Sequence, residues 1–551
     1  MSGHLFEMNE PKELYISSTT GPIFRFNLHK PEEIRNQAQN VVVACPNPLP
    51  EAVKAGKAIP IPKRKFSIDL ILKKLPSDFS PDVVYLSARK MNFMPQGLER
   101  LNCPKVMKLG DTYQLSDGSL SEMIEYCQIL DCDYHWIYQG VQHLHFFKEA
   151  GLKNVFWLPG TIVTDYFVPK KNGSKTYEVC FRGSLLGVHI YRRQLLNFLQ
   201  DSGVNLDMAK KPYLESLEDY TKSKIVLNCS GGGDTNRRIF EVLMAGGFLL
   251  TDRLSKQSGL QCLFKEGVHF ECYGSKEELL EKINYYLAHP EKAEEIALAG
   301  HNKLVQEYHP DLVRKELLNF VFQKQIKPPF LLEHDKRASF GSNLVDSSWL
   351  KKRLKIYELI QCIHHQNLKT KLLYWNCRDK YLLSDLADLP RLEITCTATQ
   401  DNFEEIYDWC SKVEILQEVR LYQQDSLPKI DLFSIVMLDI SNNEDLVNEL
   451  QEVDKYLTDG GLLLLIGKVH STLSAKVELI ARQKSWVKVK LVESNYHQFM
   501  GVGFHVAYQK QPNKLPLNSN SNHTIVKINK TLNLKERGRR KLNLLVNNWR
   551  K

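Results

Sequence analysis

The stretch Gly231-Gly232-Gly233-Asp234-Thr235-Asn236-Arg237-Arg238-Ile239-Phe240-Glu241 runs on into Ala245-Gly246-Gly247-Phe248-Leu249-Leu250-Thr251-Asp252. It reads as a glycine-rich loop that opens a helix over Asn236–Ala245, followed by a buried strand over Phe248–Thr251. Glycines let a backbone approach a ligand closely. The N-terminus of the helix offers free N–H groups and a partial positive charge, a ready site for phosphate. Arg237 and Arg238 sit in the first turn, where cations oppose the helix dipole unless an anion lies in front of them. Glu241 falls three and four residues further on, on the same face, where a carboxylate could accept the two hydroxyls of a ribose or sugar. A second reading of the same residues is a plain loop, a helix cap at Asp234 or Thr235, and a surface Arg–Glu pair.

Working outward, Val179–Phe181 is a strand that ends in the turn Arg182-Gly183-Ser184, Tyr191–Gln200 is a helix and Lys224–Asn228 another strand. Leu279, Ile283, Tyr286 and Leu287 mark one apolar helical face, closed by His289-Pro290. Upstream, Asn40–Ala44, Val83–Leu86, Val106–Leu109, Trp136–Tyr138 and Val155–Leu158 read as buried strands, with helical patterns over Ser119–Leu130 and Val141–Ala150 between them. Such alternation predicts parallel sheets covered on both faces. The expected organisation is an N-terminal α/β domain over 1–165, a second over 166–325, a linker over 326–348, a third α/β domain over 349–511 and a basic tail over 512–551.

Composition narrows the function classes. Apolar residues make up 43 % and charged residues 25 % of the 551-residue chain, ordinary values for a soluble globular protein. The longest apolar runs, such as Leu462-Leu463-Leu464-Leu465-Ile466, fall short of the ~18 residues of a membrane span. None of the 12 cysteines forms a CxxC pair, so reduced core cysteines in a cytoplasmic protein are expected, with no disulfide framework. The net charge of +9 is matched by Gln511–Lys551 alone, which carries six Lys, four Arg and one Glu. The body therefore sums to zero, and nothing in it calls for a nucleic-acid partner.

Asn236-x-Arg238-x-Phe240-Glu241, Ala245-Gly246 and Leu249-Leu250-Thr251-Asp252 resemble the C-terminal half of GT-B glycosyltransferases, closest to the CgeB-like branch of the family 1 glycosyltransferases. Leu263-Phe264, Gly267, His269, Tyr273, Tyr285-Tyr286, His289-Pro290, Ile296-Ala297 and Gly300 follow that pattern in order. Leu109-Gly110-Asp111-Thr112, His143-x-His145-x-Phe147 and Gly151-x-x-x-Val155-x-Trp157-Leu158-Pro159 resemble the same group's acceptor-side half. The resemblance covers about residues 80–320. It implies an α/β chain with a GT-B fold of two facing Rossmann-like domains and a nucleotide-diphosphate sugar as donor. Gly183 and Ser184, with Gly233, Asn236 and Arg237 beside them, would line the diphosphate; Arg238 would pair its charge and Glu241 would hold the ribose. Many retaining members carry a second Glu eight residues before this one, and here that position is Gly233, so the stereochemical outcome stays open. No Asp-x-Asp motif is needed in this fold, so no metal is expected. On the acceptor side, Asp111, His143 and His145 are the candidate catalytic bases, histidine having a pKa near neutrality by default.

Residues 370–510 resemble a class I methyltransferase fold, through Gln424-Asp425-Ser426-Leu427-Pro428, Asp431 and Leu457-Thr458-Asp459-Gly460-Gly461-Leu462. The family's three cofactor-loop glycines align with Asn376, Arg378 and Lys380, and its acidic residue after the second strand is missing near Ala398-Thr399-Gln400. A third Rossmann-like, methyltransferase-type domain is expected, and S-adenosylmethionine is not. The basic tail, in which Leu532, Leu534, Leu542, Leu544, Leu545, Val546 and Trp549 alternate with cations, suits peripheral contact with an anionic membrane or a solvated extension. The function expected is transfer of a sugar to a glycan, lipid-linked or protein acceptor in envelope or cell-surface synthesis. The alternative is a non-catalytic scaffold built from decayed enzyme folds.

Overall fold

The computed structural model describes residues 10–18, 40–87, 93–110, 112, 120–139, 141–159, 174–184, 190–325, 347–364, 370–428, 431–440, 446–466, 471–484, 486–489 and 505–510. Asp111, almost all of the expected linker and the whole basic tail lie outside these residues. The chain divides into two compact units, the first almost wholly before residue 346 and the second after it.

The first unit holds two parallel sheets. One is built from β1 (Glu13–Ser17), β2 (Val41–Cys45), β3 (Ala58–Pro60), β5 (Val83–Ser87), β7 (Lys105–Leu109), β8 (Tyr134–Ile137) and β9 (Val155–Trp157), in the order β3-β2-β1-β5-β7-β8-β9. A separate two-stranded pair joins β4 (Phe66–Ser67) to β6 (Pro95–Gln96). β1, β2 and β8 are buried along their whole length, as expected of parallel strands covered on both faces. The second sheet has the order β11-β10-β12-β13-β14, from β10 (Tyr177–Arg182), β11 (Leu206–Ala209), β12 (Ser223–Leu227), β13 (Leu249–Asp252) and β14 (Glu271–Tyr273).

The helix Pro310–Gln323 that follows the second sheet returns to the first. Tyr134 on β8 donates from its hydroxyl to the Val321 carbonyl at 2.8 Å. Phe320 packs on Tyr134 and Phe156 at centroid distances of 5.7 and 4.6 Å, and Arg314 pairs with Glu13 at the start of β1. Glu13 is 1 % exposed and also accepts the Tyr15 hydroxyl at 2.5 Å. A central strand thus begins with a buried charge, which is why hydrophobic patterning passed over β1.

The second unit contains one seven-stranded sheet in the order β17-β16-β15-β18-β19-β21-β20. Its strands are β15 (Thr370–Trp375), β16 (Leu392–Ala398), β17 (Val419–Gln423), β18 (Phe433–Asp439), β19 (Leu457–Ile466), β20 (Trp486–Val489) and β21 (His505–Lys510). All pairs are parallel except those of β21, which runs antiparallel between β19 and β20. Counted within the unit, the order is 3-2-1-4-5-7-6, a doubly wound sheet with its switch point between β15 and β18. All three sheets are of the expected α/β type. No helix among the described residues is long and apolar enough to cross a membrane.

Candidate functional site

The glycine-rich loop follows β12, and the cap of the next helix is Asn236, not Asp234 or Thr235: its side chain accepts from the Arg238 backbone N–H at 3.1 Å. The loop is held from below. The Ser230 backbone N–H donates to Asp252 at the end of β13 at 2.8 Å, the Ser230 hydroxyl bonds the same carboxylate, and the Gly233 N–H donates to the Ser230 hydroxyl at 3.1 Å. Gly233 has φ +85°, a conformation that L side chains rarely adopt. The two arginines that the sequence puts in the first turn separate in space. Arg237 turns back to Glu241, with Nη2 3.0 Å from Oε1, and stacks over Tyr213. Arg238 crosses to the other sheet loop, where Nη1 donates to Asn228 Oδ1 at 2.8 Å and the guanidinium lies 4.6 Å from the Phe181 ring centroid.

That crossing brings together the two stretches the sequence singled out. A Cβ placed on Gly183 would fall 2.2 Å from Arg238 Nη2, so only glycine leaves room for the guanidinium beside the turn after β10. A residue that the sequence reading missed completes the arrangement. Arg192, on the helix Ile190–Asp201, donates to the Ser184 carbonyl at 3.1 Å and the Cys229 carbonyl at 2.8 Å, and lies over the same Phe181 ring at 5.6 Å. It is 7 % exposed. Burial, and next to it Arg238, pull its pKa below the ordinary arginine value.

Neither Arg192 nor Arg238 is in an ion pair with any described residue. Arg182, between Phe181 and Gly183 in the chain, shows the contrast: its charge is met by Asp219 at 2.5 Å and by Asp207. Two guanidinium groups, the buried one of Arg192 and the half-buried one of Arg238, thus share one aromatic ring and, among the described residues, donate to neutral acceptors. The buried Thr235 hydroxyl, 1 % exposed, also makes no hydrogen bond there.

The first sheet reaches the loop through Gln142, in the turn Val141–His143 after β8, whose Nε2 donates to the Gly233 carbonyl at 2.7 Å. The carboxyl ends of the two sheets therefore meet at the glycine-rich loop. His143 and His145 flank Gln142's turn but are each 1 % exposed. His145 lies against the Phe146 ring at 4.1 Å, His143 at 6.0 Å from it. Asp111 lies outside the described residues. No group of three or more His, Cys, Asp or Glu side chains suited to a metal occurs among the described residues.

In the second unit, the turn after β15 is short, and the helix Lys380–Ala387 begins at once, capped by Asp379. Asn376, at φ +49°, donates from Nδ2 to Glu449 Oε1 at 3.1 Å and from its backbone to Thr397 Oγ1 at 2.9 Å. Lys352 Nζ lies 3.6 Å from Asp439 at the end of β18, and Lys380 pairs with Glu405 at 2.7 Å. The Asn376–Glu449 bond spans the switch point between β15 and β18, where a cofactor of a doubly wound sheet would sit.

No curated protein sequence matches the chain. Solved structures similar to it include HepE of Anabaena in complex with UDP and glucose, at 13 % identity over 57 % of this chain and 100 % of that one, with a TM-score of 0.39. A glycosyltransferase from Rickettsia africae is 10 % identical over 57 % of this chain and 98 % of its own, with a TM-score of 0.41. The N-methyltransferase NodS of Bradyrhizobium japonicum is 14 % identical over 29 % of this chain and 97 % of its own, with a TM-score of 0.24. Residues 184–319, which include Arg192 and Arg238, match the family model described as glycosyl transferase-like.

Proposed function

We propose that the first unit transfers a glycosyl group from a nucleoside-diphosphate sugar to an acceptor hydroxyl. The observation that carries this is the pair Arg192 and Arg238, two cations without a carboxylate partner at the mouth of a glycine-rich loop. The donor's diphosphate would lie between Gly183-Ser184 and the N-terminus of the helix Arg237–Met244. There Arg238, Thr235 and loop N–H groups would meet its oxygens, and Glu241, held by Arg237, would accept from the ribose hydroxyls. In the transfer, the acceptor oxygen bonds to the anomeric carbon as the bond from that carbon to the diphosphate oxygen breaks. The nucleoside diphosphate leaves with the electron pair, and the hydroxyl proton passes to a base. Charge grows on the leaving diphosphate, where preorganised guanidinium groups stabilise it. For the base, Asp111 is the preferred candidate, because His143 and His145 are enclosed by their own half. The CgeB-like affiliation, an envelope acceptor and a cytoplasmic site of action belong to this proposal.

The test is a thermal-shift panel of UDP, GDP, ADP and dTDP and their sugars, followed by detection of the released nucleotide. Ligand at 100 times Kd stabilises by about 2.7 kcal/mol. Arg238→Ala should then lose about ten- to a hundredfold in nucleotide affinity, the worth of one charged hydrogen bond. Silence across the panel would leave the scaffold reading.

A further inference from the structure

At the carboxyl ends of β2 and β3, away from Arg192 and Arg238, lies a shallow groove of about 600 Å³ that is open to solvent over most of its extent. Pro48, Pro50 and Pro60 form much of its wall, with Val53, Lys54 and Lys74. Prolines give a rigid apolar surface that loses no side-chain freedom when something packs on it. Lys54 and Lys74 are exposed and form no ion pair with any described residue. The acidic groups nearest in sequence do not answer them: Asp69 is held by Arg100, and Glu51 bonds neither lysine. Residues 51–74 hold seven Lys or Arg against two Asp or Glu, a local +5 in a body that otherwise sums to −5 before the tail.

Resting on the glycosyl-transfer reading above, we infer that this groove is a distal subsite for an acidic glycan chain, the acceptor. Lys54 and Lys74 would meet its carboxylate, sulfate or phosphate groups, and the prolines would pack on the C–H faces of its rings. The place of the groove argues for a chain. It opens on the same carboxyl edge of the first sheet as Gln142, which touches the donor loop after β8. β2 and β3 are four and five strands from β8 in that sheet, or roughly 20–25 Å at the usual strand spacing. A single sugar cannot span that distance; an extended oligosaccharide can. The lining residues include no aromatic ring, which sets the groove apart from one for single-stranded nucleic acid, where bases stack on aromatic side chains.

The full chain is titrated with a fluorescent heparin-derived decasaccharide, with a neutral maltodextrin of equal length, with inorganic phosphate as competitor and with single-stranded DNA. The acidic oligosaccharide should bind and the neutral one should not. The pair Lys54→Ala and Lys74→Ala should weaken binding by about tenfold, while Lys54→Arg with Lys74→Arg keeps it. Nucleotide-induced thermal shifts should be the same in all three proteins. No binding by the wild type, equal binding by the alanine pair, displacement by phosphate at the same concentration, or DNA bound as tightly as the glycan would each overturn the inference. Lysine-dependent glycan binding in a protein that no nucleotide stabilises would remove the transferase reading and leave a glycan-binding groove.

Discussion

Gly183 carries the sharpest consequence at the scale of a residue. Its role is not a backbone torsion but space: the Arg238 guanidinium occupies the volume a Cβ would need. Gly183→Ala should therefore displace Arg238 from Asn228 without unfolding the sheet, because the far end of an arginine moves cheaply. Nucleotide affinity should drop about as far as in Arg238→Ala, within roughly tenfold to a hundredfold, with the unfolding midpoint nearly unchanged. Calorimetry with a nucleoside diphosphate and a denaturant curve check the two halves of this expectation. A second residue-scale expectation concerns pH. Hydrogen bonds from Arg253 hold the Glu278 carboxyl down to about 2 from its ordinary 4.5. Its folded pKa is depressed, so the stability it contributes is complete above pH 4.5 and lost as the pH falls towards about 2. Glu278→Gln should flatten the stability–pH curve in that window and leave the slope near neutrality alone.

At the scale of elements, the helix Pro310–Gln323 joins the two sheets of the first unit, and one buried ion pair anchors it. Arg314 meets Glu13, which is 1 % exposed and also accepts from Tyr15. Arg314→Met should cost about 3–5 kcal/mol, because it strands a buried carboxylate. The double change Arg314→Met with Glu13→Leu should recover much of that loss, read by urea denaturation. β1 shows how far patterning reaches. Glu-Leu-Tyr-Ile-Ser, five residues opening on a charge, gives no alternation and no apolar run, so this central strand was not legible. By contrast, the helix expected over 276–287 is Lys276–Ala288, because its Leu279, Ile283 and Tyr286 bury one face and Ser275 caps it.

At the scale of the whole molecule, a glycosyl transferase-like segment is combined with a unit of methyltransferase-type topology. At the carboxyl ends of β15 and β18 the second unit has Asn376 bonded to Glu449 and Lys352 beside Asp439, and from these side chains we propose that it takes up no S-adenosylmethionine. Full-length protein should show no thermal shift with S-adenosylmethionine or S-adenosylhomocysteine at concentrations that saturate ordinary methyltransferases. A shift removed by Asn376→Ala would contradict this directly.

The sequence by itself determined the amphipathic helices, the strands that are apolar runs and the positions of the glycines, though not strands such as β1. Periodicity of 3.6 and runs of buried residues are local properties, so the α/β class, the helix behind Asn236 and the loop at Gly231–Gly233 were all legible. The spacing also put Arg237, Arg238 and Glu241 on one helix. Only the tertiary structure decided which way each charge turns. Arg237 pairs locally with Glu241, whereas Arg238 leaves its helix for Asn228 and Gly183, which come from two other strands. Arg192 had no sequence signal, since a lone arginine on an amphipathic helix usually faces water. It became part of the site because the fold brings the loops after β10 and β12 within reach of its five donors. Ion pairing is a property of distances across the chain, and those distances exist only once the sheets are assembled.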